Sequence, residues 1–188
     1  MCTGSGCIGI SVLKALNEEY KIPLEKLPKF TLVDISQNAL EITEKNINHL
    51  LSDSQKQRIR IVRSNLFELI PYTFDVILTN PPYIPHSMVD ELLKDGRSEP
   101  RLALDGDVTI TGDKAYNKYG DLADDGLEII RNLLEQCTER LSPLGVILME
   151  TGEYNMLGAE TIAHRNGFKN TEIFNDLENQ MRVLKITV

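Results

Sequence analysis

Four short stretches carry residue types able to do chemistry, and each stands at or near the end of a β-prone run or the start of a helix. "CTGSG" (Cys2, Thr3, Gly4, Ser5, Gly6) sets two glycines where backbone can approach a ligand closely and turn sharply into a helix. Asp34 closes the next apolar run, at about the spacing where nucleotide-binding folds place a carboxylate for two ribose hydroxyls. "SNLF" (Ser64 to Phe67) follows one strand later: Asn65 can donate and accept toward an adenine edge, and Leu66 with Phe67 can flank the ring. The last is "NPPY", inside "VILTNPPYIP". Rigid Pro81 and Pro82 fix backbone direction, so the Asn80 side-chain oxygen and the Pro81 carbonyl can converge on one point. Two such acceptors suit the two hydrogens of a planar amide or amine, and Tyr83 adds a ring face and a hydroxyl.

Each stretch also has a plainer reading. The glycines can serve a tight turn, Asp34 a helix cap or turn, and "SNLF" an ordinary loop with two apolar anchors. The prolines, which lack an N–H donor, can simply stop a strand. His49, His86 and His164 share no ligand spacing, so packing or surface roles suit them and no metal site is expected. Cys2, Cys7 and Cys137 form no CxxC pair and read as reduced thiols in a cytoplasmic protein.

Alternating helix and strand patterns around these stretches predict an α/β sheet. A helix is expected over 7–20 with Ile8, Val12, Ala15 and Leu16 on one face, then a strand over 29–35. Ser36 can cap a helix over 37–51 whose Leu40, Ile47, Leu50 and Leu51 form a buried stripe. Strands follow over 59–64 and 74–80, the second apolar enough to be central and covered on both faces. A helix over 125–141 places Leu127, Ile130, Leu134, Cys137 and Leu141 on one side; a strand over 145–152 carries Met149 into the core. A helix near 159–166 and strands near 169–174 and 181–188 complete the pattern.

The chain's 188 residues, 41% hydrophobic and 26% charged, suffice for one domain with a real core. No window reaches the apolar length of a membrane span. A net charge of −8 lacks the basic footprint of a nucleic-acid binder, so nucleic acid is not expected as a direct substrate. Lys114, Tyr116, Lys118 and Tyr119 are the residues best suited to touch one.

Taken in order, "CTGSGCIGI", "LVDIS", "NPPYIP", "EPRLALDG", "DGLEIIRNLL", "ILMETGEYN" and "NDLENQMRV" resemble successive motifs of the HemK/PrmC family. Members of that family are protein-(glutamine) methyltransferases that act on peptide-chain release factors with S-adenosyl-L-methionine. The resemblance implies a Rossmann-like class I methyltransferase sheet of seven strands. It assigns cofactor contacts to Cys2, Thr3, Gly4, Ser5, Gly6, Asp34, Asn65, Leu66 and Asn80, and catalysis to Asn80, Pro81, Pro82 and Tyr83. A release factor is the implied partner, with no metal and no membrane.

Set against the family, residues 1–188 read as one catalytic domain lacking the first, central strand and the amino-terminal helical domain. The family often has Asp where Asn65 stands, and its loop after "LALDG" is short where this chain inserts about 107–123. That insertion reads as a mobile lid or disordered surface segment. Two other activities stay open. An adenine amino group on DNA or RNA presents the same planar NH2, given an extruded base and bound phosphates. The chain can also be a non-catalytic cofactor-binding fragment.

Overall fold

Two compact units, Met1–Ile70 and Pro71–Val188, make up the chain. The structure is a computed structural model and describes residues 1–94, 96, 98–109, 113–116 and 123–188. Lys118 and Tyr119, noted above for nucleic acid, lie outside the described residues.

In the first unit, β1 (Phe30–Asp34) and β2 (Ile59–Arg63) pair in parallel, in register from Phe30 with Ile59 to Asp34 with Arg63. Parallel strands need a crossover, and α2 (Gln37–Leu50) with the single turn α3 (Asp53–Lys56) supplies it. The Ser36 hydroxyl caps α2 by accepting from Ala39 N, and Ser52 with Gln55 forms a capping box for α3. Helix α1 (Cys7–Lys14) runs on into a π turn over Ala15–Glu19. Ile10, Leu13, Leu32, Ile47 and Leu51 form the core of this unit, with Phe30, Ile59 and Ile61 packed against it.

Two helical faces differ from the pattern read in the sequence. Helix α1 buries Gly9, Ile10 and Leu13 rather than the face of Ile8, Val12, Ala15 and Leu16. Gly9 lies against the Leu32 side chain, where a Cβ would press on its Cδ2, so the missing side chain lets this face of α1 sit close to β1. On α2, Leu50 turns outward, 46% exposed, and Thr43 is buried instead. Positions 40, 43, 47 and 51 are successive steps of one helical stripe, and 50 falls beside it.

The second unit holds a four-stranded sheet ordered β3-β4-β6-β5, comprising β3 (Phe74–Thr79), β4 (Leu141–Glu150), β6 (Met181–Thr187) and β5 (Asn170–Asn175). β3 is parallel to β4, whereas β6 runs antiparallel to both β4 and β5. Helix α6 (Glu128–Arg140) buries Ile130, Leu133, Leu134 and Cys137, and α7 (Met156–Arg165) buries Met156, Ala159, Ile162 and Ala163. They pack on each other, and α7 also packs on β5 and β6; Ile147, Met149, Leu184 and Ile186 of the sheet are fully buried.

All six expected strands form, two in one sheet and four in the other. The expectation of β3 as a central, doubly covered strand is corrected. Among the described residues it pairs only with β4 and is the edge of its sheet, so Val76 is 52% exposed despite its apolar run. Helices α4 (His86–Lys94) and α5 (Arg101–Leu104) were not expected; α5 is a single turn, too short for a periodic signal, whereas Met88, Val89, Leu92 and Leu93 give α4 a helical spacing that sequence reasoning missed. Of the expected insertion, residues 107–109, 113–116 and 123 are described. Val108 bridges Lys114, Ala115 N donates to Asp107 O at 3.0 Å, and Val108, Ala115 and Ala123 are buried. Small apolar residues at these positions let that backbone pack.

Candidate functional site

The first unit gathers most of the residues expected to hold a nucleotide-like ligand. Gly4 N donates to Asp34 Oδ2 at 2.8 Å and Ser36 N to Asp34 Oδ1 at 2.9 Å, so the carboxylate ties the glycine loop to the end of β1. The turn role weighed for Asp34 is therefore real, and it also fixes where the carboxylate points. Each oxygen keeps a further lone pair. Thr3 N donates to Val33 O at 2.9 Å, which lays the loop along β1.

Two side chains that sequence reasoning missed hold the loop from α2. Thr43 Oγ1 donates to Gly4 O at 2.8 Å, and Asn46 Nδ2 to Ser5 O at 2.9 Å. Their three-residue spacing on one helical face was the available signal. Gly4 itself has φ +55, with nothing within 4 Å of where a Cβ would stand, so the loop surface there is open. Gly6 is the N-cap of α1, and Cys2, also at positive φ, is half-buried.

After β2, Ser64 N donates to Asp34 O at 3.0 Å, which brings the "SNLF" loop beside the same carboxylate residue. Asn65 spends an amide hydrogen on Glu68 Oε1 at 2.7 Å. Leu66 and Phe67 are buried, Leu66 on left-handed backbone with φ 45. Burial at both positions is also what the plainer reading expects.

The "NPPY" residues belong to the second unit. Asn80 is exposed directly after β3, Pro81 is buried, and Pro82 and Tyr83 are half-buried. The carbonyl of Tyr83 accepts from Asn155 Nδ2 at 2.7 Å, and Asn155 Oδ1 in turn accepts from Thr151 Oγ1 at 2.6 Å. Gly126 lies so close beneath that a Cβ on it would strike the Tyr83 carbonyl oxygen. Ile84 N donates to Leu104 O and Gly106 N to Ile84 O, each at 2.9 Å. Asp107 Oδ2 accepts from Gly126 N at 2.7 Å and from His86 N at 3.3 Å. Burial pushes the Asp107 carboxyl up from the usual carboxylate range, against the lowering effect of these two bonds. Its other oxygen is buried without a partner. His86 has a packing role, its Nδ1 lying 2.7 Å from Asp105 Oδ2, a carboxylate that also pairs with Arg101.

Around the Tyr83 hydroxyl, burial raises the pKa first and the Glu150 charge adds to it, while Arg182 opposes both. Arg182 is itself held by two 3.1 Å bonds to Asp176 Oδ2. Backbone N–H donors led by Gln180 keep Asp176 below the usual carboxylate range. The Cys137 thiol is buried in α6 and pushed up to about 12 by that burial, which leaves it unsuited as a nucleophile.

A glycine loop tied to an acid at the end of the next strand, with a fixed prolyl turn after a later strand, is matched at the family level. The model of the methyltransferase small domain matches residues 1–138. This chain belongs to the methyltransferase small-domain family. Among its relatives, a release factor glutamine methyltransferase of Borreliella burgdorferi is 33% identical over 184 residues, covering 98% of this chain and 54% of that protein. A ribosomal protein uL3 glutamine methyltransferase of Francisella tularensis is 32% identical over 154 residues, covering 81% of this chain and 40% of that one. The chain thus spans about half the length, or less, of these curated relatives. The crystal structure of a ribosomal protein L11 methylase from Lactobacillus delbrueckii superposes with TM-score 0.59 at 15% identity, over 99% of this chain and 66% of that one. That likeness establishes the class I methyltransferase fold. Among the described residues, no helix is long and apolar enough to cross a membrane.

Proposed function

We propose that the protein transfers a methyl group from S-adenosyl-L-methionine to the side-chain amide nitrogen of a glutamine in a peptide-chain release factor, with residues 1–188 as its catalytic domain. The observation that carries this reading is the "NPPY" turn: an exposed Asn80 followed by prolines whose far side is anchored through the Tyr83 carbonyl. The relatives support this choice of acceptor. Both kinds are named for glutamine methylation, and the match to the release-factor enzyme runs over 98% of this chain against 81% for the uL3 enzyme. From its reduced-thiol reading, we infer that the protein works in the cytoplasm.

The first unit suits the cofactor on its own geometry. The open surface at Gly4 admits a close approach of ligand to backbone. The Asp34 carboxylate, fixed by Gly4 N and Ser36 N, retains acceptor capacity for a pair of hydroxyls. Cys2, Thr3, Gly4, Ser5, Gly6, Asp34, Asn65 and Leu66 are the residues of this unit that would hold the nucleoside. When bound, S-adenosylmethionine supplies an activated methyl on a sulfonium and calls for no metal.

The chain's own task is the acceptor nitrogen. An amide nitrogen is a poor nucleophile because its lone pair is delocalised into the carbonyl. The Asn80 Oδ1 and Pro81 carbonyl accept the two amide N–H bonds, which holds the group still and favours a partly pyramidal nitrogen. Positioned acceptors of this kind act through orientation and through stabilising the charge that develops on the N–H donors, one of whose protons is given up to solvent as the methyl passes from sulfur to nitrogen. Pro82 keeps the turn rigid, and Tyr83 packs its ring against the incoming side chain.

The test is methyl transfer with radiolabelled cofactor to a release factor, its glutamine-to-alanine variant, ribosomal protein uL3, DNA and RNA. Label on the release factor that vanishes with the glutamine is the expected result. Label on uL3 alone would move the substrate, and label on nucleic acid alone would replace the glutamine reading by adenine methylation.

A further inference from the structure

Asn155 occupies the N-cap of α7, a position where asparagine is among the most favoured residues because its side chain can accept from the first-turn N–H groups. It makes no such bond. Its amide instead bridges two other partners: Nδ2 donates to the Tyr83 carbonyl at 2.7 Å, and Oδ1 accepts from Thr151 Oγ1 at 2.6 Å. Both residues are buried, Thr151 fully and Asn155 at 4% exposure. The hydroxyl bond decides which way the amide faces: with Oδ1 taken by the Thr151 donor, the NH2 end is turned to Tyr83.

The segment from Asn80 to Tyr83 is thus held at two ends. On one side β3 pairs with β4 through Thr79 and Met149. On the other, Asn155 takes the Tyr83 carbonyl and Gly126 closes beneath it. Two prolines lie between, so little torsional freedom remains to absorb a shift at either end. A change at the Tyr83 carbonyl therefore passes to the acceptors at Asn80 and Pro81.

We propose that Asn155, oriented by Thr151, is a positioning residue of the acceptor site: it fixes the Tyr83 carbonyl and with it the direction in which Asn80 and Pro81 present their oxygens. The proposal rests on the glutamine-methylation reading above.

The test uses the full-length natural protein, Asn155→Asp and Thr151→Val, with Asn80→Ala as control. Asn155→Asp keeps shape but sets an oxygen against the Tyr83 carbonyl, and Thr151→Val frees the amide to flip. Tyr83–Ile84 is the one Tyr-Ile pair in the sequence, so labelling tyrosine carbonyl carbon and isoleucine nitrogen gives a single NMR correlation across that bond. It should be sharp in the wild type and shifted or split in both variants. Turnover on a release factor should fall by about 10–100-fold in Asn155→Asp, with KM for the protein and affinity for the cofactor nearly unchanged, the pattern of an interaction used in the transition state. A purely structural role would instead lower the melting temperature and leave kcat of the folded fraction intact. Unchanged kcat in a folded Asn155→Asp overturns the proposal, whether or not the correlation moves, as does a loss traced wholly to cofactor affinity. Should Asn155→Asp not fold, Thr151→Val decides: an unmoved correlation or an unchanged kcat overturns it. An Asn80→Ala control that turns over normally, or a wild type with no turnover, sinks the glutamine reading, and the positioning role falls with it.

Discussion

Replacing Asp34 by alanine separates the loop-holding job that the structure shows for this carboxylate from the cofactor contact that we propose for it. It accepts Gly4 N at 2.8 Å and Ser36 N at 2.9 Å, and we assign it the cofactor hydroxyls as well. Hydrogen bonds to a charged group contribute about 1.5–3 kcal/mol each, and the lower end applies because Asp34 is only half-buried. The two backbone bonds together then put the loss of unfolding free energy at about 2–4 kcal/mol. Loss of the ligand hydroxyl bonds should weaken S-adenosylmethionine binding by about 1.5–3 kcal/mol, roughly 10–150-fold in Kd. Asp34→Asn keeps one acceptor oxygen for the backbone, so it should recover part of the stability while the affinity stays low. Urea unfolding and calorimetric titration on the three proteins measure the two effects separately. A folded Asp34→Ala protein that binds the cofactor with wild-type affinity would refute the assignment and leave Asp34 a turn residue only.

Three further outcomes follow from the same geometry. Asn80→Ala should leave cofactor affinity nearly intact and lower turnover by roughly 100-fold or more, as for a lost transition-state hydrogen bond; steady-state kinetics beside calorimetry would show the split. Asp107 has a folded pKa raised by burial, so the native state holds its proton above the ordinary value of about 4, and this group's contribution is lost as pH rises through the folded pKa. Asp107→Asn removes that slope, so its stability relative to wild type should climb with pH across this window in parallel urea melts; a constant difference would contradict the burial argument. Leu134→Ala, at a fully buried position of α6, should cost about 2–5 kcal/mol of unfolding free energy through a lost side chain and the cavity left behind.

Much of this molecule was legible because its signals are local. The six strands are apolar or β-branched runs stopped by polar or turn residues, and the stripe of Leu127, Ile130, Leu134 and Cys137 repeats at helical spacing. The glycine loop and Asp34 stand out for the same reason: type and spacing suffice to single out each, while the bond from Gly4 N to Asp34 Oδ2 that joins them was not foreseen. Most of what escaped was non-local or weakly patterned. Helix α5 is a single turn that no period can mark, while α4, with Met88, Val89, Leu92 and Leu93 at helical spacing, was legible and was passed over. The inward face of α1 depends on Gly9 meeting Leu32, a fact about packing rather than about hydrophobicity. Thr43 and Asn46 reach the glycine loop from about forty residues away, and Asn155 reaches Tyr83 across seventy-two. Nothing in "ETGEYN" tells that its asparagine forgoes a helix cap for a distant carbonyl.

The central claim is that an amide nitrogen of glutamine receives the methyl group, and fragment mass spectrometry of the reacted release factor tests it most directly. The protein is incubated with the release factor and S-adenosylmethionine, and the product is digested and mapped residue by residue. Our account expects a single added methyl on one glutamine side chain, absent when the reaction uses Asn80→Ala. A methyl found on another residue type, or glutamine methylation that survives Asn80→Ala at the wild-type rate, would contradict it.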